Sequence, residues 1–255
     1  MIEENAANVN EKARGLTFFG ECVILTKEHR DKREVSTLQL AQMLDIRPGV
    51  TAIIGSGGKT TLMLTLAREL DRLECEQGME PGSIGVIALI ETALGVENAY
   101  AIATASPRVR ALFLGGEDLS ADLRCKRTKE SREIFYARTR LVMAARAAGV
   151  DVYDTPFTDV DDDEGLRADA EFAKSLGFTG KASISPRHLE GINACFSPTQ
   201  AEADYAREVL EAIEEGVRQG KGAVALRGKM IDAPVVARAR QTLEAAEEII
   251  RRGGT

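Results

Sequence analysis

Two acidic residues follow closely on apolar runs. Glu91 ends "VIALIE", and Asp118 stands four residues beyond the run in "ALFLGGED". Carboxylates emerging side by side from neighbouring strands repel one another unless a cation sits between them. A hard cation such as Mg²⁺, which keeps coordination positions open for substrate oxygens, meets that need. Strand-end acids are also common as ordinary solvated groups, and spacing alone leaves both readings open. A second constellation lies upstream, in "GSGGKTT". Here Gly55, Gly57 and Gly58 provide flexible backbone whose N–H groups can surround a phosphate. Lys59 brings an ammonium and Thr60 a hydroxyl suited to magnesium. The loop departs from G-x-x-x-x-G-K-[ST], because Ile53 stands five residues before Gly58. A glycine-rich turn without a ligand is the alternative.

These residues need elements to position them. Strands are expected at 16–26, 50–54, 84–90, 110–116, 150–155 and 180–185. Helices are expected at 60–75, near 96–104, over "REIFYARTRLVMAARAAG" and at 164–176. In the third of these, Ile134, Ala137, Leu141, Ala145 and Ala148 share one face. The last third reads as helical, with one stripe at Ala206, Val209, Ile213 and Val217. A second stripe runs through Val236, Ala239, Leu243, Ala246 and Ile250. Strands that are almost continuously apolar and alternate with helices imply a parallel α/β sheet or barrel. In such a fold Glu91 and Asp118 both emerge at the carboxyl edge, where ligands bind.

Composition narrows the partners. A net charge of −7 argues against nucleic acid or an acidic membrane surface, though a local site can still hold a small anion. Cys22, Cys75, Cys125 and Cys195 are scattered, as expected of reduced thiols rather than disulfides or a zinc site. No apolar run approaches the ~18 residues of a membrane span and no secretory signal opens the chain, so the expected address is the cytoplasm.

From about residue 72 to 250 the sequence resembles the citrate lyase beta-subunit family of the aldolase superfamily. The stretches that carry the likeness are "LIETALGVENAYAIATASPRVRALFLGGEDLSADL", "YARTRLVMAARAAGVDVYDTPFTDVDDDEGL", "AKSLGFTGKASISPR" and "GKMIDAPVVARARQTL". The resemblance implies a TIM-barrel-type fold and Mg²⁺-dependent cleavage or formation of a carbon–carbon bond next to a thioester, as in citryl- or malyl-CoA. It implies Glu91 and Asp118 as metal ligands, with the metal stabilising an enolate. The backbone around Gly116, Glu117 and Asp118 would cradle the substrate carboxylate. Asp232 matches a position that in relatives points into a neighbouring subunit's site; an acid capping the helix ahead of Pro234 is the other reading. Ser185 stands where relatives usually have a histidine, and the nearby His188 reads as a surface or packing residue. The family's opening strands are not found, so the barrel is expected to be incomplete, with extra C-terminal helices. Domain limits follow: an arm and short strand and helix over 1–48, then the barrel portion over 49–255.

The segment "LQLAQMLDIRPGVTAIIGSGGKTTLMLTLAREL" resembles the start of the selenium-dependent hydroxylase accessory family, over about residues 38–73. Two rival functions therefore stand beside the lyase: a nucleotide-binding accessory protein and an inactive scaffold. An incomplete parallel sheet exposes edges, which favours a homo-oligomer.

Overall fold

The computed structural model describes residues 16–19, 22–25, 50–53, 59–220 and 224–251, with side chains from residue 67 onward. The chain divides into two compact units, the first ending at His188 and the second beginning at Leu189.

The first unit carries a sheet of seven strands in sequential order. β1 (Leu16–Phe19) pairs antiparallel with β2 (Cys22–Leu25), and β2 pairs parallel with β3 (Val50–Ile53). Parallel pairing continues through β4 (Gly85–Ile90), β5 (Val109–Leu114), β6 (Asp151–Asp154) and β7 (Gly180–Lys181). Between them run α1 (Lys59–Glu76), the short α2 (Ala93–Glu97) and α3 (Ala99–Ala103), and α4 (Gly116–Asp122). α5 (Phe135–Ala148) and α6 (Asp163–Leu176) complete the unit. β4 and β5 are buried almost without alternation, as expected of strands in the middle of a parallel sheet enclosed on both faces. α5 buries Ile134, Ala137, Leu141 and Ala145 as the periodicity requires. It ends at Gly149, whose φ of 72° is open to glycine at little cost.

Several sequence expectations change. The strand expected over 16–26 is two strands paired antiparallel, β1 with β2, a reversal of direction that apolar periodicity does not show. The helix near 96–104 is two helices that meet at Asn98, whose side-chain amide donates to the Leu94 carbonyl. The strand over 180–185 contracts to two residues. Beyond it, the Ser183 hydroxyl donates to the Ser185 carbonyl and accepts from the Ser185 N–H, and such local bonds compete with a ladder.

The second unit holds α7 (Leu189–Phe196), α8 (Gln200–Arg218), β8 (Val224–Leu226), β9 (Lys229–Ile231) and α9 (Ala233–Arg251). The hairpin β8–β9 interrupts the expected run of helix; its turn uses Arg227 and Gly228, both at positive φ, the geometry that suits a tight hairpin. Gly216 lets α8 approach β8, since a Cβ there would lie 2.2 Å from Val224 Cγ2. α8 begins with a capping box between Thr199 and Glu202. Ala206, Val209, Ile231 and Ala239 form this unit's core, while the far ends of the two stripes, Val217 and Ile250, are exposed. Among the described residues no helix is long and apolar enough to cross a membrane.

At the amino edge of the sheet a buried ion pair joins α1 to β4 and β5. Glu74, fully buried, accepts from the N–H groups of Gly82 (2.7 Å) and Ile84 (2.8 Å) and from Arg108 Nη1 (2.7 Å). Bonding to Arg108 is the main reason its carboxyl is held at about 2, below the ordinary 4.5. A carboxylate depressed in the folded state contributes stability above its unfolded pKa and loses it as pH falls through the folded value. The wild type should therefore lose this contribution between about pH 4.5 and 2. Glu74→Gln should be less stable at pH 7 by about 1–3 kcal/mol, since Arg108 keeps the more exposed Asp71 as its charge partner (Nη2 to Oδ1, 2.5 Å) but loses the buried one, and its stability should fall less on acidification. Thermal melts of both proteins from pH 7 to 2 check this; parallel acid limbs would remove Glu74 as the cause.

Candidate active site

The predicted acids both follow the carboxyl ends of the adjacent strands β4 and β5. Ile90 is in register with Leu114, and the Gly115 N–H donates to the Ile90 carbonyl at 2.9 Å. Glu91 and Gly115 therefore leave the sheet side by side. A Cβ on Gly115 would lie 2.9 Å from Glu91 Cβ, so only glycine allows this close approach. Glu91 is 8% exposed. Gly116 opens α4, which places Glu117 and Asp118 in its first turn. Asp118 is exposed, and its carboxylate makes no hydrogen bond or ion pair among the described residues. Glu117 pairs with Arg127 Nε at 3.2 Å.

Among the described residues no group of three or more His, Cys, Asp or Glu could hold a metal ion. The candidate donor set is two carboxylates, one buried beside a glycine turn and one open. That set fits Mg²⁺, which typically takes one or two protein carboxylates and fills its other positions with water and substrate oxygens. The first turn of α4 presents N–H groups with no partner inside the helix. That of Gly116 is already taken, donating to Thr155 Oγ1 at 3.0 Å. Those of Glu117 and Asp118 are the ones left to face an anion.

Behind this turn lies a buried cluster of four charges that the sequence reading missed. Arg138 on α5 donates from Nε and Nη2 to both oxygens of Asp154, at 2.9 and 2.8 Å, and from Nη2 to Asp169 at 2.8 Å. Lys181 Nζ reaches Asp154 at 2.7 Å, Asp169 at 2.5 Å and the Thr155 carbonyl at 2.6 Å. Two cations and two anions leave the cluster neutral. Burial would raise the Asp169 carboxyl, yet Lys181 and Arg138 outweigh it and hold the group below the usual range. A signal for the cluster was present. Arg138 and Asp169 sit on the apolar faces of their helices, where a charge needs a buried partner.

The remaining candidates lie elsewhere. Asp232, in the second unit, accepts the Val235 N–H at 3.1 Å through Oδ1, and so caps α9. His188 is fully buried, at 6.5 Å between ring centroids from Phe157, so of the two readings, surface or packing, packing is the one observed. Gly55, Gly57 and Gly58, and with them residues 38–49 of the accessory-family likeness, are outside the described residues. Lys59 and Thr60 open α1, their side chains also outside the description.

Comparisons with known proteins identify the family. The protein-family model for HpcH/HpaI aldolase/citrate lyase matches residues 59–186. The citrate lyase subunit beta of Escherichia coli (strain K12) is 38% identical over 232 residues, covering 86% of this chain and 77% of that protein. A (3S)-malyl-CoA thioesterase of Cereibacter sphaeroides (strain ATCC 17025) is 33% identical over 209 residues, covering 82% of this chain and 72% of that protein. The crystal structure of protein CitE from Mycobacterium tuberculosis, in complex with magnesium, acetoacetate and coenzyme A, superposes with a TM-score of 0.60. It is 27% identical and covers 88% of this chain and 89% of that one. The family match begins at Lys59, the first residue of α1, and lends no support to the accessory-family likeness at 38–73. The family-model match over residues 59–186 and the 38% identity to a citrate lyase beta subunit place the chain in the HpcH/HpaI aldolase/citrate lyase family.

Proposed function

We propose that the chain is a Mg²⁺-dependent carbon–carbon lyase acting on a short carboxylated acyl-CoA or acyl-carrier thioester of the citryl- or malyl-CoA type. The observation that carries this is Glu91 and the Gly115–Asp118 turn leaving the sheet side by side. Glu91 and Asp118 would hold the metal, which when bound supplies Lewis-acid polarisation of a carbonyl oxygen and neutralises developing negative charge. The N–H groups of Glu117 and Asp118 would orient the substrate carboxylate, with the partial positive charge of a helix start behind them. Burial of Glu91 keeps water from one side of the site. Asp232 is the candidate acid that a neighbouring copy's site would receive. The sheet in the first unit is best read as an incomplete TIM-type barrel. Relatives named for a lyase subunit and for a malyl-CoA thioesterase both support the thioester class. Cleavage of citryl- or malyl-CoA that needs Mg²⁺ and stops with chelator is the expected result. Metal-independent turnover, or none with either thioester, would count against it.

Self-association follows from the same proposal. Val217, Ile250 and Met143 are each more than two-thirds exposed. Light scattering at micromolar concentration should give a mass that is a multiple of 27.6 kDa. A monodisperse monomer would argue that these side chains need no cover.

A further inference from the structure

The turn that presents Asp118 is held from two sides, and only one of them is the strand carrying Glu91. On the other side stands Thr155, the residue after β6, which is 1% exposed. Its hydroxyl accepts the Gly116 N–H at 3.0 Å. The approach is close enough that a Cβ on Gly116 would lie 2.7 Å from Thr155 Oγ1 and 3.1 Å from its Cβ and Cγ2. Thr155 is itself held, since its carbonyl accepts from Lys181 Nζ at 2.6 Å. Lys181 in turn sits in the neutral cluster with Asp154, Asp169 and Arg138. A continuous chain of short, buried contacts therefore runs from the charge cluster through Thr155 and Gly116 to the first turn of α4. Within that turn, the Ser120 hydroxyl donates back to the Gly116 carbonyl at 2.8 Å.

We propose that Thr155 is a positioning residue for the metal site: its hydroxyl fixes the Gly116 N–H and thereby sets the place of Asp118 relative to Glu91. This rests on Glu91 and Asp118 being the metal ligands. A helix as short as α4 has little stability of its own, so its first turn takes its direction from what grips it. Asp118 is exposed and unsupported by any side chain among the described residues. Its carboxylate is therefore only as well placed as the backbone beneath it. A ligand displaced by a fraction of an ångström still folds, but it binds a cation of strict geometry less tightly.

The test is Mg²⁺ binding by titration calorimetry on the full chain, with thermal midpoints measured alongside. Thr155→Val keeps the shape and removes the acceptor; Thr155→Ser keeps the acceptor. The valine variant should raise the Mg²⁺ dissociation constant about tenfold or more, as loss of an outer support to a metal ligand typically does. The serine variant should bind like the wild type. A merely structural role would lower the midpoint and leave the dissociation constant alone. Binding by Thr155→Val within twofold of the wild type, while Glu91→Gln and Asp118→Asn abolish it, would overturn the role of Thr155 and spare the site. Unchanged binding in Glu91→Gln and Asp118→Asn would overturn the site and this proposal with it. If the valine variant does not fold, Gly116→Ala poses the same question by pushing the turn off Thr155. A tenfold weaker affinity there supports the proposal, and wild-type affinity overturns it.

Discussion

Glu91→Gln should lower magnesium-dependent thioester cleavage by about a hundred- to a thousandfold in kcat, the range seen when one element of charge stabilisation is removed from an active site. Asp118→Asn should fall nearly as far. Both substitutions keep size and shape and remove one charge from a two-carboxylate set. The Mg²⁺ dissociation constant should rise at least tenfold, ~1.4 kcal/mol. The pair also separates chemistry from folding. Asp118 is exposed and makes no bond among the described residues, so its replacement should leave stability within about 0.5 kcal/mol of the wild type. Steady-state kinetics across a Mg²⁺ titration, with a thermal melt of each variant, is the measurement. Turnover by Asp118→Asn within a few-fold of the wild type would remove Asp118 from the site.

The second large effect concerns stability. Asp154→Asn removes one of two anions from a cluster in which Arg138, Asp154 and Lys181 have side chains with no exposed surface. Arg138 and Lys181 would then share Asp169 alone. Breaking a buried pair from one side costs about 3–5 kcal/mol, because the stranded charge cannot reach water. In a chain of this size that corresponds to a fall of about 10 °C in melting temperature. Asp154→Ala should be worse still, since it loses the bonding atoms as well as the charge. The pH dependence has a definite sign. Asp169 is held below the usual carboxylate range, so its contribution is complete above the unfolded value and fades on acidification. A melting temperature for Asp154→Asn within 2–3 °C of the wild type would show that water or relaxation already compensates the cluster.

The candidate metal ligands were legible in the sequence because each is local to its own strand. Glu91 stands directly after an apolar run and Asp118 four residues beyond one, and in a parallel sheet every strand ends at the same edge. The α5 stripe was legible for a similar reason, as helical period is a property of neighbours along the chain. Thr155 was not legible. Nothing in "YDTPF" shows that its hydroxyl meets an N–H 39 residues earlier. The short β7 and the β8–β9 hairpin were missed because competing serine bonds and two residues at positive φ leave little mark on hydrophobic periodicity.

The sequence by itself determined the alternation of strand and helix, the edge at which two carboxylates emerge, and the glycines that let backbone crowd beside them. These follow from side-chain volume, polarity and period, which act over a few residues. Only the tertiary structure decided which buried charges neutralise one another. Arg138 pairs with acids 16 and 31 residues away, and Lys181 with one 27 residues away. A charge on an apolar helix face announces that it needs a partner, because leaving it alone in a dry interior is prohibitive. It does not say where the partner is. That choice is made when strands and helices pack, since only then does one anion come within bonding distance while the others remain in water.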